Sequence, residues 1–419
     1  MVYGLSTMDY TTRMTKQRYF FLVLILGALT ALGPFSIDMY LPAFPAIAKS
    51  LHTSHVSFSL ASFFVGISLG QLLYGPLLDR FGRKNPLYAG LGLYIVASVG
   101  CFFATSIETL CVLRFVQAVG SCAAAVASLA MVRDIFPVRD NAKVFALLIL
   151  VLSVSPMLAP TVGGYVTAAI GWQFIFIILA GIAVLITITV IFGLPESYQP
   201  DPTYSLKPGP IIASFLAVLK NPQFYTYAIC GAVGFSGLFT YLSASPFVFI
   251  VVFGLSSKVY GWIFAFLSIG FIGSSQLNNI LTKNYKSEQI VKVSLLCMVV
   301  VSMMFFIGAL NGWFGLYSTI AMIFAFLCCV GITYPNTSAL SLAPFSKNAG
   351  TAAALLGVFQ MAIGTLVSVI VSLFKNHNSV PMAGMIAASS LLAFVILLIG
   401  RRMVPVKVEV DGEAGVMMH

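Results

Sequence analysis

Of the twelve acidic residues, only Asp38 falls deep within an apolar run, inside Pro34-Phe35-Ser36-Ile37-Asp38-Met39-Tyr40-Leu41-Pro42. Arg114 is its sole basic counterpart in such a run. A charged side chain in hydrocarbon costs about 2.5–3.5 kcal/mol on insertion scales, so a carboxylate placed there points to work on protons or ions. Its proton affinity depends on burial and on the distance to a guanidinium. A change in that distance would therefore bind or release a proton. The plainer alternative is a static ion pair that orients two helices. Gln117, three residues beyond Arg114, shares its helix face.

Two further constellations stand out. Gly75-Pro76-Leu77-Leu78-Asp79-Arg80-Phe81-Gly82-Arg83-Lys84 sets a charge cluster in a tight glycine turn. It reads as a conformational latch: Asp79 placed to cap the positive N-terminus of the eleventh span, Arg83 to reach Asp134. Ser155-Pro156-Met157-Leu158-Ala159-Pro160-Thr161-Val162-Gly163-Gly164 combines two helix-bending prolines with a glycine pair that permits close helix contact. His52, His55, His377 and His419 fall in loops or the tail, and the seven cysteines lie in or at the ends of apolar runs. No spacing suggests a metal site, and an intramembrane enzyme would lack its nucleophile–base or metal set. No Gly-x-x-x-x-Gly-Lys-Ser/Thr phosphate loop is present, so the expectation is no cofactor and an ion gradient as energy source.

The elements that must hold these residues follow from composition. The chain has 419 residues, 59% hydrophobic and 8% charged, with a mean hydropathy of +1.00. Soluble domains are roughly 25% charged, so an all-α integral membrane protein is expected. Long unbroken apolar runs exclude the alternation of a β-barrel. Spans are read at 19–46, 56–78, 86–105, 109–132, 142–168 and 172–194, then at 222–252, 258–281, 289–309, 313–340, 349–374 and 379–400. This gives a six-helix half over 1–194, a linker with a short amphipathic helix over 195–221, a second six-helix half over 222–400 and a tail over 401–419. The net charge of +10 is a topology signal rather than a nucleic-acid footprint. Eighteen of the 22 basic residues collect on one side, which the positive-inside rule makes cytoplasmic, with both termini there. Two six-span halves place a substrate at the midplane between them and alternate its access by rocking. Candidate wall residues are Tyr40, Phe235, Phe239, Tyr241, Phe247, Asn336 and Gln360, beside Asp38, Arg114 and Gln117.

Gly75–Lys84 resembles the loop signature of the major facilitator superfamily, with Pro76 at its free position. Arg114-Phe115-Val116-Gln117-Ala118-Val119-Gly120 resembles the fourth-span motif of its proton-coupled members, with Ala118 where glycine is usual. Ala159-Pro160-Thr161-Val162-Gly163-Gly164 resembles the antiporter motif of its fifth span, with Ala159 for the first glycine. More narrowly, Ser36–Ala43, Gly70–Pro76, Arg133–Pro137 and Ser243–Val248 are similar to blocks of the bicyclomycin/chloramphenicol resistance (Bcr/CflA) drug-efflux family.

The resemblance implies a twelve-helix major facilitator fold in a bacterial inner membrane. It implies a monomeric exporter of small drugs of bicyclomycin, phenicol or sulfonamide type, driven by protons. Asp38 would be the protonation site and Arg114 its partner, and the partners would be lipid, protons and drug. A proton-coupled exporter of a metabolite or amino acid fits the same residues, and a facilitator or channel without proton coupling remains a third reading.

Overall fold

The computed structural model describes residues 15–136, 138–200, 208–345, 349–374 and 378–404. Six long helices come first: α1 (Lys16–Asp38), α3 (Ser57–Phe81), α4 (Lys84–Phe102), α5 (Ile107–Ile135), α6 (Val138–Ala169) and α7 (Phe174–Gly193). Six more follow: α9 (Pro222–Pro246), α10 (Ser257–Leu281), α11 (Ser287–Leu310), α12 (Leu316–Leu342), α13 (Ala349–Leu373) and α14 (Val380–Met403). The two short helices are α2 (Phe44–Ser50) and α8 (Pro208–Leu219). Eleven of the described helices are long and apolar enough to cross a membrane. The twelfth long helix, α6, is partly outside the described side chains.

Local chemistry sets the helix ends. Thr15, Ser106, Asn221 and Ser256 each accept a backbone N–H of the first turn, so α1, α5, α9 and α10 start on capping side chains. At the start of α5, the backbone N–H of Glu108 and the Ser106 hydroxyl hold the exposed Glu108 carboxyl below its usual range. Expected and observed spans agree to within four residues except at the first and at the seventh, where α9 ends at Pro246 and a π-helical turn completes the span to Val252. At the first, the chain makes α1, a 3-10 turn at Leu41–Ala43 and then α2. In a continuous helix the Pro42 ring would strike the carbonyl four residues back, which is that of Asp38. Asp38 is therefore the last residue of α1, not an interior one.

The same helix pairings recur in both groups of six. α3 packs on α5, α4 on α5 and α7, and α1 on α5, α6 and α7; in the second group α10 packs on α12, α11 on α12 and α14, and α9 on α12, α13 and α14. The groups meet through two crossed pairs, α3 with α13 and α6 with α10, and through the Leu41–Ala43 turn against α9 and α10. Outward faces are apolar, with Phe192 86% and Leu185 65% exposed, as lipid contact requires. Inside, hydroxyls pair across helices, Thr30 with Ser128 at 2.5 Å and Ser294 with Thr333 at 2.8 Å. The helix expected near 211–220 is α8, which begins earlier because Pro208 and Pro210 suit a first turn. Its Val218 packs with Phe224 of α9 and Ala352 of α13.

The α6 proline–glycine segment makes the crossing to α10. Pro160 has no N–H, so the Pro156 carbonyl loses its helical donor and accepts instead from Ser268 Oγ of α10 at 3.5 Å. A Cβ on Gly163 would collide with the Met39 carbonyl, and one on Gly164 with the Ser257 carbonyl. On the α10 side, Gly261 faces the Pro160 carbonyl at a distance that admits no side chain. Gly163→Val and Gly261→Val should each cost about 1–3 kcal/mol by overpacking. Melting temperature in detergent should fall for both, while Gly75→Ala, whose Cβ meets nothing within 4 Å, should melt as the native protein does.

Candidate functional site

Arg114 lies on the second turn and a half of α5 with no exposed surface. Its Nη1 donates to Gln117 Oε1 at 2.6 Å and its Nη2 to the Ser36 carbonyl of α1 at 3.0 Å. Gln117 Nε2 donates to Ser98 Oγ at 2.7 Å, and Ser98 Oγ to the Tyr94 carbonyl at 2.7 Å. The Tyr94 hydroxyl returns to Ser36 Oγ at 2.6 Å, which also donates to the Leu32 carbonyl at 2.7 Å. α1, α4 and α5 are thus joined by a closed ring of buried hydrogen bonds. The guanidinium carbon stands 4.1 Å from the Phe63 ring centre and 4.6 Å from that of Tyr40, with Phe176 at 5.8 Å. Aromatic faces supply the negative potential that a carboxylate would otherwise give. The Tyr40 hydroxyl is held by Ser59 at 2.7 Å, which fixes its ring beneath the cation.

Sequence depth places Asp38 and Arg114 at one level, and Arg114 does reach α1 two residues from Asp38. Electrostatic coupling is expected, directly or through water; among the described residues no direct ion pair joins the two, and both donating Nη groups of Arg114 end on neutral oxygens. The reason is the helix stop at Pro42. Asp38, 6% exposed, lies beyond the last full turn and interacts electrostatically with Tyr241 of α9 and Tyr260 of α10. It faces the second group of helices, whereas Arg114 is enclosed by the first.

The aromatic candidates separate. Phe235 lies 4.5 Å from Tyr334 of α12 and 5.6 Å from Phe239, centre to centre. Phe239 meets Phe64 of α3 edge-on at 4.6 Å, across the boundary between the helix groups. The Tyr334 hydroxyl donates to Gln360 Oε1 at 3.4 Å, so Phe235, Phe239 and Gln360 belong to one aromatic patch with Tyr334 and Phe64. The last two are absent from the sequence-based set, because nothing in a phenylalanine-rich chain marks two aromatics as facing each other. Phe247 does not join them: it opens the π-helical turn Phe247–Val252, about 18 Å along the axis from Phe235. Asn336 is committed elsewhere, its amide donating to Asn278 Oδ1 at 2.6 Å and to the Ile332 carbonyl at 2.8 Å. It ties α12 to α10.

At the basic end, Arg83 bonds Asp79 at 2.7 Å and Asp134 at 2.8 Å. Glu196, from the segment after α7, accepts the backbone N–H of Arg83 at 2.9 Å and that of Lys84 at 3.0 Å, capping α4. Lys84 Nζ donates to the Leu194 carbonyl at 2.9 Å, and the Tyr198 ring lies 4.2 Å from the Arg83 guanidinium carbon. Gly82, at φ +82°, makes the turn that brings both N–H groups onto Glu196. Arg80 lies over Phe81 at 5.6 Å. The cluster therefore closes on the chain following α7. The expected cap of Asp79 on the eleventh span involves residues 346–348, outside the described residues. Glu196 was readable only as linker; its signal is a lone acid directly after an apolar span, opposite a basic loop.

A sequence profile of the Major Facilitator Superfamily matches residues 26–369. The chain is 31% identical over 378 residues to an uncharacterized MFS-type transporter, YdgK, of Bacillus subtilis, covering 88% of this chain and 93% of the relative. It is 30% identical over 387 residues to a bicyclomycin resistance protein homolog of Haemophilus influenzae, covering 91% and 97%. It is 29% identical over 372 residues to a chloramphenicol resistance protein of Pseudomonas aeruginosa, covering 86% and 85%. Among solved structures, a D-xylose–proton symporter superposes with a TM-score of 0.72 at 13% identity, covering 90% of this chain and 98% of that one. That likeness concerns the fold.

Glu196→Ala leaves two N–H groups of α4 without their acceptor. Two lost caps should cost about 1–2 kcal/mol, read as a lower melting temperature in detergent. Arg114→Lys should cost more, since an ammonium cannot span Gln117 and Ser36 as the planar fork does. Gln117→Leu should reproduce part of that loss.

Proposed function

The chain belongs to the Major Facilitator Superfamily, and on that premise we propose that it exports small drugs across a bacterial inner membrane in exchange for protons. Its relatives include proteins named for resistance to bicyclomycin and to chloramphenicol, which favours moderately polar drugs of that size as cargo. The observation that carries the reading is the placement of Asp38. It is a buried carboxyl at a helix end, facing the other group of six helices and not neutralised by Arg114.

A proton on such a group changes the charge at the boundary about which the two halves rock, and the change is felt by both. In exchange transport, proton and drug must not be released on the same side in the same cycle. A carboxyl that is neutral in one conformation and charged in the other meets that condition. The aromatic patch of Phe64, Phe235, Phe239 and Tyr334, with Gln360 at its edge, offers an apolar wall with one amide for a flat, partly polar molecule. α6 is the hinge surface: its Pro156 carbonyl accepts from Ser268 of α10, and Gly164 lies against the Ser257 backbone. Both termini are assigned to the cytoplasm from the basic loops, so the Arg83 cluster guards the inner end. The protein acts as a monomer on this account.

Cells lacking their own efflux systems, expressing the native chain, should accumulate less of a phenicol than control cells, and a protonophore should remove the difference. Asp38→Asn should accumulate drug as the control does, at equal membrane abundance. Export by Asp38→Asn at the native level would end the coupling assignment. No export of phenicol, bicyclomycin or sulfonamide by the native chain would favour a metabolite as cargo.

A further inference from the structure

At the boundary between the halves a buried hydroxyl of the second half is left without a partner near the end of α1. The end of α9 packs against the Leu41–Ala43 turn that follows Asp38, and nearby Ser57 Oγ donates to the Ser243 carbonyl of α9 at 3.5 Å. Tyr241 lies on this stretch, 2% exposed, its ring stacked on Phe264 of α10 at 5.4 Å. Its hydroxyl is enclosed and has no hydrogen-bond partner among the described residues. Ser245, one turn further, lies close enough to interact with it, but the Ser245 hydroxyl is bonded to Tyr260 at 2.9 Å. Asp38 interacts electrostatically with both tyrosines.

A buried hydroxyl with no acceptor costs about 1–3 kcal/mol, and a buried carboxylate with no donor costs more. Several other polar groups of the neighbouring elements are already engaged. Both Nη groups of Arg114 on α5 are given to Gln117 and Ser36, its buried Nε–H has no partner among the described residues, and the Tyr40 hydroxyl is held by Ser59. α6 approaches through Gly163, which has no side chain to offer. On α10, Tyr260 is bonded to Ser245. Tyr241 is a buried, unpartnered donor on the stretch of α9 that the second half brings to this boundary.

We propose that Tyr241 is the partner which the second half presents to Asp38: its hydroxyl donates to the charged carboxylate, directly or through one water, and lets go when a proton from water neutralises that carboxyl. The inference rests on the proton-coupling reading above and adds the group through which the second half senses the proton. Tyr241 is then a positioning residue, set apart from the drug wall of Phe235 and Phe239 by its helix face: two residues beyond Phe239 the side chain points to the opposite side of α9, onto Phe264. Losing the bond loosens α1 from α9, and making it draws them together, so proton occupancy and rocking share one contact.

The test uses the full chain in proteoliposomes, with a phenicol as cargo. Drug uptake driven by a pH gradient is compared with drug–drug exchange at equal pH on both sides. Tyr241→Phe keeps the ring stack on Phe264 and removes only the hydroxyl. It should lower gradient-driven transport about tenfold, leave exchange within about twofold of native, and displace the pH of half-maximal driven transport by about one unit, the scale of one hydrogen bond to a charged group. Tyr260→Phe, which loses a bond to Ser245 only, should stay within about twofold on both measures.

Driven transport and pH midpoint at native values in Tyr241→Phe would overturn the inference while leaving Asp38 as the coupling site. Equal loss of exchange and driven transport would overturn it too, returning Tyr241 to the drug wall. A Tyr260→Phe protein that matches Tyr241→Phe would place the effect in general α9–α10 packing. Undiminished driven transport in Asp38→Asn, run alongside, would remove this inference together with the reading on which it rests.

Discussion

A guanidinium sealed inside a helix bundle must find acceptors for its protons without water, and how Arg114 does so fixes the rest of the first half. It takes an amide oxygen on its own helix, a backbone carbonyl of α1, and the faces of Phe63 and Tyr40. Because those partners are neutral, the one buried carboxyl is left for another use. Each bond in the ring through Ser98, Tyr94 and Ser36 also locks α1 to α4 and α5. These helices must therefore move as a body, which is the mechanical requirement for rocking. Asp38 stands one residue before the chain leaves that body.

Prolines translate this rigidity into a site. Pro42 ends α1 at Asp38, so the carboxyl emerges at a helix terminus, where the backbone turns into the contact with α9 and α10. Pro160 strips the Pro156 carbonyl of its donor and hands that acceptor to Ser268 on the other half. Gly164 and Gly261 let α6 and α10 approach backbone to backbone, and Gly163 does the same between α6 and Met39 at the end of α1. The α6–α10 crossing thus has close backbone contacts where side chains would otherwise interdigitate. At the basic end the balance differs: Arg83 is gripped by two carboxylates, and Glu196 clamps the turn below it. That clamp binds the loop to the chain leaving α7, which stiffens the first half as well.

Much of this was legible in the sequence, for identifiable reasons. A membrane helix carries its own signal in composition, so the spans could be placed to a few residues. The rarity of ions in such spans singled out Asp38 and Arg114. The Arg83–Asp134 bond followed from matching signs at matching depth. What the sequence hid were relations that depend on rotation about a helix axis. Nothing in residue order says that Arg114 turns toward Ser36 while Asp38 turns toward Tyr241, or that Phe64 meets Phe239. Asn336 resembled a ligand-binding amide and is instead half of a buried pair with Asn278. Phe247 matched in type but sits about 18 Å too far along α9.

The central claim is that drug binding and proton release are coupled through one carboxyl, Asp38. Proton release on drug binding tests it most directly, measured by a pH indicator in weakly buffered detergent solution. The native protein should release protons as a phenicol is titrated in, and Asp38→Asn should bind the drug and release none. Release of the same size from Asp38→Asn, at comparable drug occupancy, would contradict the account and move the coupling site elsewhere.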